Sequence, residues 1–207
     1  MREHSIPSYF DDIILKEAED ASSEPISEDG RVDLRDRCIF TIDSESAKDL
    51  DDAISIEKTD TGYVLGVHIA DVSHYVREGS KIDTEAINRG TSVYFTDKVV
   101  PMLPKALSNG ICSLNEKEDR YTLSALISLD KRGEIVSCQI ANSVINSKIK
   151  GIYAELNDIL EKDENSEFYG KYAHVIKDFY KMYDLYKVLK QKSDKRGAME
   201  LESEETK

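Results

Sequence analysis

Two β-type blocks constrain the fold more than any other feature of the sequence. The first contains the runs CIFTID, DAISIEKT and GYVLGVHIADV between residues 38 and 72, with Asp60-Thr61-Gly62 as a hairpin turn between the last two. The second is YTLSALISLD, then Lys131-Arg132-Gly133, then EIVSCQIANSVIN, whose second arm alternates apolar and polar residues with period two. A chain with this many short apolar runs must build a sheet, and a sheet with a buried face must be covered.

The cover is expected to be helical. KIDTEAINRG, residues 81–90, places Ile82, Ala86 and Ile87 on one helix face and Gly90 just beyond its end. Helices are also expected over about 150–161 and 170–192. In the second, Val175, Ile176, Phe179, Met182, Tyr183, Tyr186 and Leu189 recur at helical spacing, which reads as a core stripe. The segment SVYFTDKVVPMLP is expected to be extended, its two prolines fixing a corner. Residues 1–37, with Pro7, Pro25 and the acidic SSEPISEDG, read as a lead-in segment that is mostly surface loop. The expected class is α+β, a mixed and largely antiparallel curved sheet with packed helices.

Composition excludes several alternatives. At 207 residues, 40% of them hydrophobic, the chain can bury one sizeable core. No run approaches the roughly 20 apolar residues of a membrane span, and MREHSIPSYF lacks the apolar stretch of a secretory signal. A cytoplasmic protein with no membrane partner is expected. Cys38, Cys112 and Cys138 are odd in number and widely spaced, so all three are expected to be reduced. The formal charge of −13 argues against gripping nucleic acid by bulk electrostatics, since phosphate binding ordinarily uses a basic face. The final KSDKRGAMELESEETK stops on an acidic, helix-favouring run without a cap, as though cut.

Between the first two β-type runs lies IDSESAKDLDDA, with five acidic side chains in twelve positions. Asp43, Asp49, Asp51 and Asp52 leave one strand and enter the next. Like charges a few ångströms apart repel, so such a loop either protonates them or supplies a cation. Hard oxygen ligands of this kind suit magnesium, and two such ions about 3.5–4 Å apart would activate water and steady a leaving oxygen in phosphodiester hydrolysis. A solvated acidic turn explains the run equally well on composition alone. An EF-hand loop does not: counted from Asp43, the fifth, sixth and twelfth positions are Ala47, Lys48 and Ile54, where a ligand, a glycine and a glutamate are required.

TIDSESAKDLDDA, followed by GVHIADVSHYVREGSKIDTEAINRGTSVYFTDKVVPMLPKALSNGICSLNEKEDRYTLS, strongly resembles the catalytic domain of the ribonuclease II / ribonuclease R exoribonucleases, with the ribonuclease R branch closer. REHSIPSYF and GRVDLRD resemble the segment leading out of the preceding cold-shock domains, and RGAMELESEE a further stretch of the catalytic domain. The resemblance implies a lead-in over residues 1–37 and, over 38–207, the N-terminal part of a catalytic domain. The missing cold-shock, S1 and C-terminal catalytic segments would belong to a longer parent, expected to be monomeric.

What that family implies is 3′-to-5′ hydrolysis of single-stranded RNA from its 3′ end, releasing nucleoside 5′-monophosphates with Mg²⁺. By the motif, Asp43 and Asp52 would hold metal with the scissile phosphate, while Asp49 and Asp51 would complete the cluster through a second ion or by orienting the attacking water. Tyr94, in TSVYF, would stack on a base near the 3′ end. Tyr153, in SKIKGIY, would lie near the RNA backbone and its 2′-hydroxyl. Lys150 falls where the family has a basic residue, and would pair with phosphate or be a solvated helix lysine. His68 and His74 are expected to be structural, and Cys112 buried and inert. Because the rest of the catalytic domain lies beyond residue 207, this chain alone is expected to degrade RNA poorly; a non-catalytic RNA-binding or regulatory piece is the alternative.

Overall fold

The computed structural model describes residues 9–95 and 98–198. The expectations placed on residues 2–8 of REHSIPSYF and on 199–205 of RGAMELESEE lie outside them. Among the described residues eight strands form most of the body: β1 Val32–Asp33, β2 Ile39–Asp43, β3 Asp52–Lys58, β4 Gly62–Ala70, β5 Val93–Tyr94, β6 Val99–Val100, β7 Asp119–Asp130 and β8 Ile135–Ile152. Six α-helices, again among the described residues, accompany them: α1 Asp12–Ser22, α2 Val72–Tyr75, α3 Lys81–Arg89, α4 Tyr153–Lys162, α5 Tyr169–Tyr172 and α6 Ile176–Lys195.

Antiparallel pairs β3–β4 and β7–β8 are the two hairpins that the sequence predicts, and β2–β3 and β4–β7 join them in antiparallel fashion. Long β8 then does double duty. Its first part pairs with β7 up to Asn146, and its last part pairs in parallel with β2, from Ser147 opposite Ile39 to Ile152 opposite Asp43. The ladder therefore returns to its starting strand, and the curved sheet closes into a ring of β2, β3, β4, β7 and β8.

Strand parity sorts the residues of that ring. Ala53, Ser55, His68, Ala70, Thr122, Ser124, Ser143, Ser147, Ile39 and Thr41 are buried. Small and hydroxyl side chains dominate this set. A closed ring of few strands has no room for larger ones. Asp43 continues the parity of Ile39 and Thr41, so β2 carries its carboxylate towards the end of the ring.

The outer face is covered in two places. Helices α1 and α3, with the turn after Pro104, gather Ile14, Ala18, Ile82, Leu103, Leu107 and Tyr75 against Tyr121 and Val144. Helices α4 to α6 gather Leu156, Ile159, Tyr172, Ile176 and Phe179 against Phe40 and Ile149, while Leu185 packs on Ile56, Tyr63 and Leu129. The α+β expectation is met, and so is the helix over 81–89. Ser80 caps its start by accepting from the Asp83 amide at 3.1 Å, and Gly90 closes it at φ 72°.

Four local expectations need correction. Residues 12–22 are helical, not loop, because Ile14 and Ala18 recur at i, i+4 and are buried. The helix expected from about 150 starts at Tyr153, since 147–152 pair with β2 and stay extended. Lys150 is accordingly a strand residue, not a helix lysine. The expected helix over 170–192 is broken after Tyr172 and resumes at Ile176.

Candidate active site

The acidic stretch is the connection from β2 to β3, and the fold fixes it at both ends. Asp43 is the last residue of β2 and Asp52 the first of β3, in register with Ile69 of β4. Between them, Leu50 is buried, so Asp49 and Asp51 on either side of it turn outward and are exposed. Backbone bonds set this alternation: the Leu114 amide donates to the Leu50 carbonyl at 2.8 Å, and the Ala70 amide to the Asp51 carbonyl at 2.9 Å.

The four carboxylates act on one another. Partial burial pushes the Asp43 carboxyl above its usual range, and the charges of Asp52 and Asp49 push it further, against the opposing Lys150. Asp51 reaches solvent, but the protein around it still desolvates its carboxyl and raises it, and Asp49, Asp52 and Asp43 add to the shift. Among the described residues, no Lys, Arg or His forms an ion pair with any of the four. In charge and in oxygen chemistry the set fits a hard divalent cation. It is not a closed cage: among the described residues, no three acidic, histidine or cysteine side chains stand where they could hold a metal together.

The other expected site residues come to the same end of the ring. Tyr94, on the short β5–β6 hairpin, is 67% exposed and donates its hydroxyl to Asp49 Oδ2 at 3.3 Å. Burial, the Asp49 charge and this bond all raise the phenol above its ordinary range. Tyr153, 57% exposed, directly follows Ile152, the register partner of Asp43. Lys150 faces the acidic loop, donating to the carbonyls of Glu45 at 2.9 Å and Ala47 at 2.6 Å.

Two cavities of about 410 Å³ flank Tyr94. One is lined by Asp49, Asp51, Ile69, Val72, Met102 and Leu103. The other brings Lys48, Lys98 and Lys105 beside Asp49 and Tyr94. Among the described residues these three lysines have no ion-pair partner, so an acidic chain keeps uncommitted positive charge here. Sequence reasoning did not find them, since 48, 98 and 105 share no local spacing. Ser108 and Asn109, which line this second cavity, sit on the turn Ala106–Ile111, which is kinked at Gly110.

The histidines are structural, as expected. His68 is fully buried inside the ring, its Nε2 3.0 Å from Ser55 Oγ and its Nδ1 2.7 Å from Ser124 Oγ. Burial, with a smaller push from Arg37, lowers its pKa to about 4, so the ring is neutral. His74 lies 3.3 Å from Arg31, which pairs with Asp71 at 2.7 Å. Cys112 is buried, and burial pushes its thiol up to about 12, which keeps it unreactive.

The model of the RNB domain family matches residues 31–207. Ribonuclease R of Thermotoga maritima is 47% identical over 205 residues, covering 97% of this chain and 28% of its own length. Ribonuclease R of Vibrio parahaemolyticus is 43% identical over 210 residues, covering 100% and 25%. The structure of Mycoplasma genitalium RNase R in complex with ribose methylated single-stranded RNA superposes with a TM-score of 0.87 at 34% identity, covering 98% of this chain and 32% of that one. The chain thus spans about a quarter to a third of the relatives it matches.

Proposed function

Because the chain belongs to the RNB domain family of ribonuclease R, we propose that it supplies the acidic site of a 3′-to-5′ exoribonuclease that hydrolyses single-stranded RNA to nucleoside 5′-monophosphates. The observation that carries this reading is the group of four aspartates, uncompensated by any ion pair among the described residues, at one end of a closed sheet with an exposed tyrosine bonded to one of them. Asp43, Asp49, Asp51 and Asp52 would supply Mg²⁺ with one or two carboxylates at a time, water and RNA phosphate filling its other positions. Bound there, the cation would neutralise approaching phosphate and lower the pKa of water at the scissile bond. Asp49 and Asp51, which flank the buried Leu50, would orient that water.

Substrate binding follows from the surroundings. Tyr94 offers a free ring face for a base near the 3′ end, at no cost in sequence preference. Tyr153 follows Ile152, the register partner of Asp43, and there it would meet the ribose and phosphate of the bound strand. Lys48, Lys98 and Lys105 would draw the polyanion to an otherwise acidic molecule. The relatives are three to four times longer, so the 207 residues alone are expected to turn over slowly and the full-length protein faster.

The test uses single-stranded RNA labelled at its 5′ end, with Mg²⁺ or with a chelator. Progressive shortening from the 3′ end, with nucleoside 5′-monophosphates released only when Mg²⁺ is present, is the expected result. Internal cuts, or equal hydrolysis in chelator, would overturn it. Tight RNA binding without any release would point to a non-catalytic RNA-binding piece.

A further inference from the structure

The loop that carries Asp49 and Asp51 does not hold its own shape. Between Ser44 and Asp51 its one internal backbone bond is Ala47 amide to Ser44 carbonyl at 3.2 Å, among the described residues. Backbone amides of Leu114 and Ala70 hold its far end at Leu50 and Asp51, and two side chains from distant elements hold the backbone before it. Lys150, on β8 opposite Thr41, spends two of its three ammonium protons on the carbonyls of Glu45 and Ala47. Ser113, fully buried just after the kinked turn Ala106–Ile111, donates its hydroxyl to the Lys48 carbonyl at 3.0 Å and accepts from the Leu50 amide at 3.0 Å. One hydroxyl therefore grips the backbone on both sides of Asp49.

Ser113 is itself fixed. Its carbonyl accepts from Arg120 Nε at 2.8 Å, and Arg120 also bonds the carbonyls of Gly110 and Asp119 and pairs with Glu118. Neither Ser113 nor Lys150 bonds an aspartate carboxylate of the cluster. We propose that Ser113 and Lys150 are positioning residues: they clamp the backbone of residues 45–50 and so aim Asp49 and Asp51 at the reacting phosphate. The proposal rests on the reading of the aspartate cluster given above. It assigns Lys150 to the loop, with at most one proton left over for RNA.

Like charges on a short loop spread apart unless the backbone resists, and a carboxylate displaced by about 1 Å from its working position can cost on the order of 100-fold in rate. The clamp is expected to show in turnover and to leave RNA affinity alone. The test takes full-length protein carrying Lys150→Met, Lys150→Arg or Ser113→Ala. Single-stranded RNA gives kcat and KM, thermal melting reports the folded fraction, and RNA Kd is measured with Asp51→Asn added to block turnover. Amide hydrogen exchange at Leu50 reads the loop without any reaction.

Lys150→Met and Ser113→Ala are expected to lower kcat by roughly 10–100-fold, with KM and Kd within about threefold and the protein folded at the assay temperature. Lys150→Arg, which can still donate to two carbonyls, should recover most of the loss. Leu50 should exchange faster in Ser113→Ala. The proposal is overturned if Lys150→Met weakens RNA binding tenfold with kcat intact, which would make it a phosphate contact. Unchanged kcat in both variants, or a kcat loss no larger than the loss of folded protein, would overturn it as well. Should the wild type itself fail to hydrolyse RNA, the parent reading falls, and Leu50 exchange alone decides the clamp: unchanged exchange would sink it.

Discussion

Tyr94 and Asp49 are joined across 3.3 Å by a hydroxyl-to-carboxylate hydrogen bond, although 45 residues separate them in the chain. The bond ties the exposed aromatic ring to the acidic loop.

That link makes two substitutions informative. Tyr94→Ala removes the ring and should weaken binding of single-stranded RNA by about 1–3 kcal/mol, roughly 5- to 150-fold in Kd. Tyr94→Phe keeps the ring and loses the bond to Asp49, so Kd should stay within about threefold. Fluorescence anisotropy with a labelled oligonucleotide measures both, and equal losses in the two variants would assign the effect to the hydroxyl instead of stacking.

His68 should make stability depend on pH. Its folded pKa of about 4 lies below the 6.5 of an unperturbed histidine, so the unfolded chain binds the proton more readily. The associated stabilisation is fully present above about pH 6.5 and is lost as pH falls towards 4. Between pH 7 and pH 5 the loss should be about 2 kcal/mol. Urea unfolding of the wild type against His68→Asn over that interval checks it. The variant should show a shallower decline, and identical slopes would remove His68 as the source.

Gly66 guards the same interior. A methyl group there would fall 2.2 Å from Ser55 Oγ and 2.7 Å from His68 Nε2, the two atoms bonded to each other. Gly66→Ala should break that bond in a buried site and cost about 1–3 kcal/mol. Thermal unfolding reads the change, and a cost under about 0.5 kcal/mol would mean the ring expands freely.

Much of this architecture was legible in the sequence, for reasons particular residues make clear. The turns at Asp60-Thr61-Gly62 and Lys131-Arg132-Gly133 sit where expected because alternation and turn chemistry are local signals. The closure of the ring was not legible. It depends on β8 continuing through Lys148, Lys150 and Gly151, and a Cβ at Gly151 would come within 2.7 Å of the Thr41 carbonyl, a constraint known only once β2 lies alongside. Helix α1 was missed because its two buried residues, Ile14 and Ala18, are sparse among charges. At the site, the aspartates announced themselves by density. Ser113 left no trace, since a lone serine in ICSLN acquires its partners only when two distant segments meet.

The central claim is that the aspartate cluster breaks RNA linkages and is not an acidic turn. Asp51→Asn in the full-length protein tests it most directly, keeping shape while removing one charge. With Mg²⁺ and single-stranded RNA, release of nucleoside 5′-monophosphates should fall by at least about 100-fold, the scale of losing one transition-state contact, while RNA Kd stays within about threefold. Release at the wild-type rate would contradict the account.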